Sequence, residues 1–189
     1  MQPIKGIAMA VKTPQDVHEF WFSDEMKPYW FQKSDEIDRQ IIQLFTPTYE
    51  SAHAGRLDHW GGNAQDALAL VITLDQFPRN MFRGNARSFE SNDLALNHAR
   101  KALERGFDRE CDETARPFFY LPFMHSEELE DQQQSVKLYE ALGNTSSLHF
   151  AREHHDIVQR FGRFPHRNAV LGRKNTDEEA EFLKTHSGF

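Results

Sequence analysis

Cysteine is nearly missing from this chain: among 189 residues there is one, Cys111. That count excludes a disulfide framework and any multi-cysteine metal cluster, and it suits a reducing compartment, so a cytoplasmic location is expected. Long apolar runs are missing too. No window approaches the ~18 consecutive apolar residues of a membrane span, so no membrane partner is expected. The apolar run 7–11 is shorter than the ~7–15-residue core of a signal peptide. Basic excess is absent: 22 Lys and Arg face 29 Asp and Glu, a net charge of −7. A phosphate-backbone binder leaves the opposite footprint, so no nucleic-acid partner is expected. No Walker loop, dinucleotide fingerprint or closely spaced metal-ligand motif is present, and neither a metal nor a cofactor is expected. Finally, β-branched residues are few, with 13 Val and Ile against 31 Ala and Leu. That imbalance favours helix over strand, and no segment alternates cleanly enough to demand a sheet.

What is there reads as a single all-α domain over 13–189, preceded by a flexible segment over 1–12. Thr13, Pro14 and Asp16 form a capping box with proline in the first turn. Ser34 opens a longer helix with Ile37, Ile41, Ile42, Leu44 and Phe45 on one face, which Pro47 is expected to interrupt or kink. Asn63 caps a third helix, apolar nearly all round over 67–74 and therefore central. Further helices are expected over 91–106, about 126–142 and about 147–161. Thr176 with Glu179 makes a last capping box. Trp21, Trp30 and Trp60 read as packing residues.

Charge is unevenly placed. Segment 76–89 has three arginines and no acid, while 157–176 has four arginines, Lys174 and His166, again with no acid. Together they carry +8, leaving −15 on the rest of the chain. Both share a pattern: an apolar helix runs into Phe-Pro, and an Arg-Asn pair follows. These are Phe77-Pro78-Arg79-Asn80 and Phe164-Pro165-His166-Arg167-Asn168. Proline stops a helix, so each Arg-Asn pair is expected in a turn or at a helix start, where backbone amides and a guanidinium can seat an anion. Arginines that only neutralise helix C-terminal carbonyls are the alternative.

Asp75 lies one turn after Val71 and Ile72 on the apolar helix, where a carboxylate opposes the helix dipole and needs a cation. Arg79, Arg83 and Arg163 are the candidate partners. The apolar segment 118–124 delivers His125, Ser126 and Glu127; a His and a Glu emerging from apolar surroundings can serve as an acid/base pair. The competing reading has Ser126 as a helix N-cap, Glu127 as a first-turn dipole partner and His125 packed. His154 sits among Phe150, Ala151, Ile157 and Val158, the setting of a hydrogen-bonded core histidine.

These residues resemble an uncharacterised, mostly bacterial family, domain of unknown function 924. The marks are Phe20-Trp21-Phe22, Trp30-Phe31, Gly55-Arg56-Leu57-Asp58, the stretch 75–80, His125-Ser126-Glu127 with Asp131-Gln132, the stretch 160–168, and Thr176 with Glu178-Glu179. The resemblance implies a tetratricopeptide-like fold, stacked antiparallel helix pairs in a right-handed array, and carries no activity with it. The set His125, His155-Asp156 and Asp177 is loosely similar to that of helical HD-type metal phosphohydrolases, although Asp177 reads as a capping-turn residue.

Two functions follow. In the first, Arg79, Asn80, Arg163, His166, Arg167 and Asn168 bind a small anionic molecule, Asp75 orients the arginines, and His125 and Glu127 do acid/base work. In the second, the helical array is a scaffold for a protein partner and the polar motifs are ion-pair clamps. The metal phosphohydrolase reading stands third.

Overall fold

The computed structural model describes residues 10–186 and 188. The expected flexible segment 1–12 therefore lies mostly outside the described residues; within them, the Lys12 backbone N–H donates to Thr48 Oγ1 at 2.8 Å. Among the described residues there are eight α-helices, linked by short turns, and no strand.

Helix α1 (Pro14–Trp21) starts at the Thr13–Asp16 capping box, both halves of which form. Helix α2 (Asp35–His53) starts at Ser34 and runs unbroken through Pro47. Proline's fixed φ fits a helix, and its cost there is the missing N–H and the crowding of the i−4 carbonyl by its ring. The buried face continues past it with Thr48, Tyr49 and Ala52, which offsets that loss. Ile42, expected on that face, is exposed.

Helix α3 (Ala64–Met81) is the central one. Asn63 caps it, and every side chain from Ala67 to Pro78 is buried. It packs against α1 and α2, and against α4 (Asn92–Glu104) and α5 (Pro117–His125). The expected stop at Phe77-Pro78 does not occur: α3 continues through Pro78 to Met81. Packing on all sides outweighs one lost hydrogen bond, and Arg79 ends up in the last helical turn instead of a loop.

The apolar segment 118–124 is α5 itself, buried from Phe118 to Met124, with His125 as its last residue. Ser126 thus follows a helix end. Helix α6 (Leu129–Leu142) begins three residues later than expected, with Glu128 at its N-cap. Gln132, fully buried on α6, donates through Nε2 to the carbonyls of Met124 at 2.7 Å and Ser126 at 2.6 Å. One amide thereby satisfies the carbonyls left open where α5 stops, and it fixes the position of His125.

Helix α7 (Thr145–Phe161) packs on α6 and ends at Gly162, whose φ of 67° is the left-handed conformation that glycine adopts without cost. The chain turns there into the short 3-10 turn Pro165–Arg167, so this second Phe-Pro does lead into a turn. Helix α8 (Asp177–Phe182) starts at the Thr176–Glu179 capping box. Consecutive helices pair along the chain, α2 with α3, α3 with α4, α4 with α5, α5 with α6 and α6 with α7. Trp21 and Trp60 are buried in the common core, and Trp30 packs against it.

A His–Asp pair beside two arginines

Asp75 is 1 % exposed near the C-terminal end of α3. Its two oxygens lie 2.8 and 3.0 Å from His125 Nδ1, and they accept from Gln76 Nε2 at 2.6 Å and Arg79 Nη2 at 3.3 Å. Of the three expected cations, only Arg79 reaches it. Arg83 instead holds Asp38 on α2 through two bonds of 2.8 Å, because it follows the end of α3 on the α2 side. Arg163 holds both oxygens of Glu179, at 2.6 and 2.7 Å.

Burial alone would raise the Asp75 carboxyl. His125, Arg79 and Gln76 outweigh it and hold the group below the usual carboxylate range. His125 goes the other way: burial, reinforced by Arg79, pushes it down to about 4. At neutral pH the pair is therefore an aspartate accepting from a neutral imidazole. With the proton on Nδ1, Nε2 carries a lone pair.

Glu127 does not form the expected acid/base pair with His125. Its carboxylate accepts from Arg173 Nη1 at 2.6 Å, Arg173 Nη2 at 2.9 Å and the Phe164 backbone N–H at 2.8 Å. Those bonds hold it below its usual range against the opposing effect of burial, and they pin the loop after α7 to the end of α5.

Arg167 enters the site from the Pro165–Arg167 turn. It is 5 % exposed, and Nη1 donates to the His125 carbonyl at 3.0 Å. Its guanidinium carbon lies 4.2 Å from the Phe164 ring centre and 4.8 Å from that of Phe89, and Arg79 meets the same Phe89 ring at 5.7 Å. The two Phe-Pro-linked arginines thus converge. Burial, with the Arg79 charge beside it, pushes the Arg167 guanidinium down to about 9, which leaves it cationic at neutral pH. The Nε groups of both Arg79 and Arg167 are buried and find no acceptor in the protein.

The paired asparagines diverge: Asn80 donates to Asp38 at 2.9 Å, whereas Asn168 bonds Asn175 and Arg173, each at 2.8 Å. His166 is half-buried, pushed down to about 4 by burial and then by Arg167. His154 is buried, its Nδ1 2.8 Å from the Phe150 carbonyl, as expected of a core histidine. Its ring also lies 6.5 Å from that of His125, and burial, then His125, lowers it to about 3. His155 pairs instead with its neighbour Asp156, and among the described residues no group of three or more His, Cys, Asp or Glu is placed to hold a metal ion.

Sequence reading missed Arg173 and Phe89, and gave Gln132 only as a mark of the family resemblance. Arg173 looked like any other cation in the acid-free stretch. Phe89 lies at the end of the first such stretch, a position that gave no hint of its stacking. A cleft of about 810 Å³ opens elsewhere, lined by His18, Glu19, Lys27, Glu110, Cys111 and Asp112 among others. Its charges are mostly acidic, and burial pushes the Cys111 thiol up to about 11, so it holds no ready thiolate.

A family model described as a bacterial protein of unknown function, DUF924, matches residues 17–187. A solved structure of a protein of unknown function from Agrobacterium tumefaciens, ATU0120, is 41 % identical; the match covers 92 % of this chain and 97 % of that one, with a TM-score of 0.88. No protein of the curated set matches. Among the described residues no helix is long and apolar enough to cross a membrane.

Proposed function

This chain belongs to the bacterial family of unknown function DUF924, and from that premise we propose that it binds a small anionic molecule at Arg79 and Arg167 and uses the Asp75–His125 pair for acid/base chemistry on it. One observation carries the reading: Arg167, 5 % exposed, is held next to Arg79 with a buried Nε that the protein leaves without an acceptor. Two like charges packed on one phenyl ring repel. Asp75 compensates one of them; Glu127 is hydrogen-bonded to Arg173 and stands 4.0 Å from Arg167 Nη1, a charge contact without a hydrogen bond. An anion between the guanidiniums relieves that repulsion and supplies the acceptors. His125 Nε2, beside them, is suited to take a proton from a bound substrate or an attacking water, while Asp75 stabilises the resulting imidazolium.

The roles expected of Glu127, Arg163, Asn80 and Asn168 shift accordingly. They act as clamps: Glu127–Arg173 and Arg163–Glu179 hold the 162–179 segment that presents Arg167, and Asn80 joins Arg83 on Asp38. His166 remains with the anion-binding set. The neighbour-on-neighbour helix packing supports a tetratricopeptide-like arrangement, and the clamps are what the scaffold alternative would call for. Against that alternative stand Arg79 and Arg167, whose Nε groups no clamp satisfies.

The test is a thermal-shift panel of anionic metabolites, with divalent metals alongside. A ligand at ~100 times its Kd adds about 2.7 kcal/mol, which raises Tm by roughly 5–11 °C for a chain of this length. A shift from an anion that disappears in a folded Arg167→Ala protein supports the site. If no anion shifts Tm, and Arg79→Ala and Arg167→Ala behave as the parent throughout, the scaffold reading takes its place.

A further inference from the structure

Resting on that reading of the site, we propose that the anion is a phosphomonoester, its phosphoryl oxygens held by Arg79 and Arg167, and that it binds together with one proton shared between a phosphoryl oxygen and His125 Nε2.

Asp75 is ionised and accepts a hydrogen bond from the Nδ1–H of His125, so Nε2 is an acceptor. The site thus makes three demands on a ligand. Arg79 and Arg167 each call for an acceptor, and His125 Nε2 calls for a donor. A carboxylate has two oxygens and no proton to give. A singly protonated phosphoryl group has three terminal oxygens, one of them a donor, and meets all three demands.

The charge count agrees. Arg173 and Glu127 cancel through their two-bond pair, and Arg79, Arg167 and Asp75 leave one net positive charge. A phosphomonoester dianion overshoots that by one; with a proton it matches. Charged and titratable groups stand around His125, and Asp131 of α6, paired with Arg100 of α4, holds the hydroxyl of the adjoining Ser126. Asp75 and Arg79 come from α3, Glu127 from the α5–α6 link, and His154 from α7. His166, Arg167 and Arg173 follow α7. Tyr139 of α6 is buried, with its hydroxyl donating to the Pro117 carbonyl at 3.1 Å, and burial pushes its own ionisation far up. Burial holds His154 and His166 well below an ordinary histidine, so neither is an imidazolium at pH 8. Because burial and Arg79 keep the free imidazole neutral at pH 7, there is room for the proton.

The experiment is isothermal titration of the whole protein with methyl phosphate, methyl sulfate and acetate at pH 8, in two buffers of different ionisation enthalpy. A phosphomonoester loses its second proton near pH ~6, so methyl phosphate arrives there as the dianion. The expected result is uptake of about one proton per methyl phosphate, and affinity falling about tenfold per pH unit from 7.5 to 8.5, as a one-proton linkage requires. Methyl sulfate and acetate should bind more weakly, with no uptake. His125→Asn should abolish uptake and the pH slope, and the wild-type slope stands as evidence even if that variant does not fold. Methyl phosphate binding without uptake, or no more tightly than methyl sulfate, overturns the inference and leaves the anion site intact. So does failure of methyl phosphate where another anion gives a shift that Arg167→Ala removes. Failure of every anion overturns the site itself.

Discussion

Asp75 and His125 stand fifty positions apart in the chain, yet both carboxylate oxygens of the one lie within 3.0 Å of the same ring nitrogen of the other. The bond joins the end of α3 to the end of α5, so it is a tertiary contact and a setting of chemistry at once. Removing the carboxylate leaves Arg79 without its buried partner and frees the imidazole to change tautomer.

Asp75→Ala should therefore cost about 3–5 kcal/mol of unfolding free energy, the scale for breaking a buried pair from one side. Asp75→Asn should cost less in urea unfolding, because shape and one acceptor remain. It should still remove any acid/base activity at His125, since an amide neither fixes the tautomer nor stabilises the imidazolium. An Asn variant with full turnover would show that the pair is structural alone.

His125, His154 and His166 all titrate well below an ordinary histidine, at about 4, 3 and 4. The unfolded chain, with histidines near pH ~6.5, binds protons the native protein refuses, so stability is full above that pH and is lost as pH falls toward 4. Each such histidine costs up to about 1.4 kcal/mol per pH unit in that window. Urea unfolding at pH 7, 6 and 5 should show a steep fall. A flat profile would mean the imidazoles are far better solvated than their burial indicates.

Gln132→Ala is expected to be costly for a residue remote from any ligand. It strands the carbonyls of Met124 and Ser126, each accepting within 2.7 Å, and the loss should be about 1–3 kcal/mol. Because those carbonyls flank His125, anion affinity should drop with it. Calorimetry on the folded variant tells the two effects apart.

Arg83→Ala serves as the contrast. Its partner Asp38 ties α2 to the turn after α3, on a partly exposed face, and makes no bond to His125, Arg79 or Arg167. A drop in Tm of about 1–4 °C is expected, with anion binding unchanged. Lost binding in this variant would point to a site wider than the two converging arginines.

Local chemistry was legible in the sequence where it is local in the fold. Thr13 with Asp16, Asn63 with Asp66 and Thr176 with Glu179 cap the helices that their spacing announces. The all-round apolar stretch of α3 announced a central helix, and Asp75 on it announced a need for a cation. Pro78 misled, and Pro47 does not interrupt its helix, because a proline's local cost is fixed, whereas the packing that outweighs it comes from residues elsewhere in the chain. The choice among Arg79, Arg83 and Arg163, and between Asp75 and Glu127 as the carboxylate on His125, depended on helix ends meeting across dozens of positions. No spacing rule reaches that far.

The separation between Arg79 and Arg167 has a consequence in time. About ninety residues lie between them, and at about 5–20 residues per second a ribosome needs roughly 4–18 s to add them. Over that interval the nascent chain holds a helix with Asp75 and Arg79 and, later, the histidine that completes their bond, but not the second guanidinium. The proposed anion site therefore closes only late in synthesis, after the chain has turned at Gly162 and brought Arg167 back to Phe89.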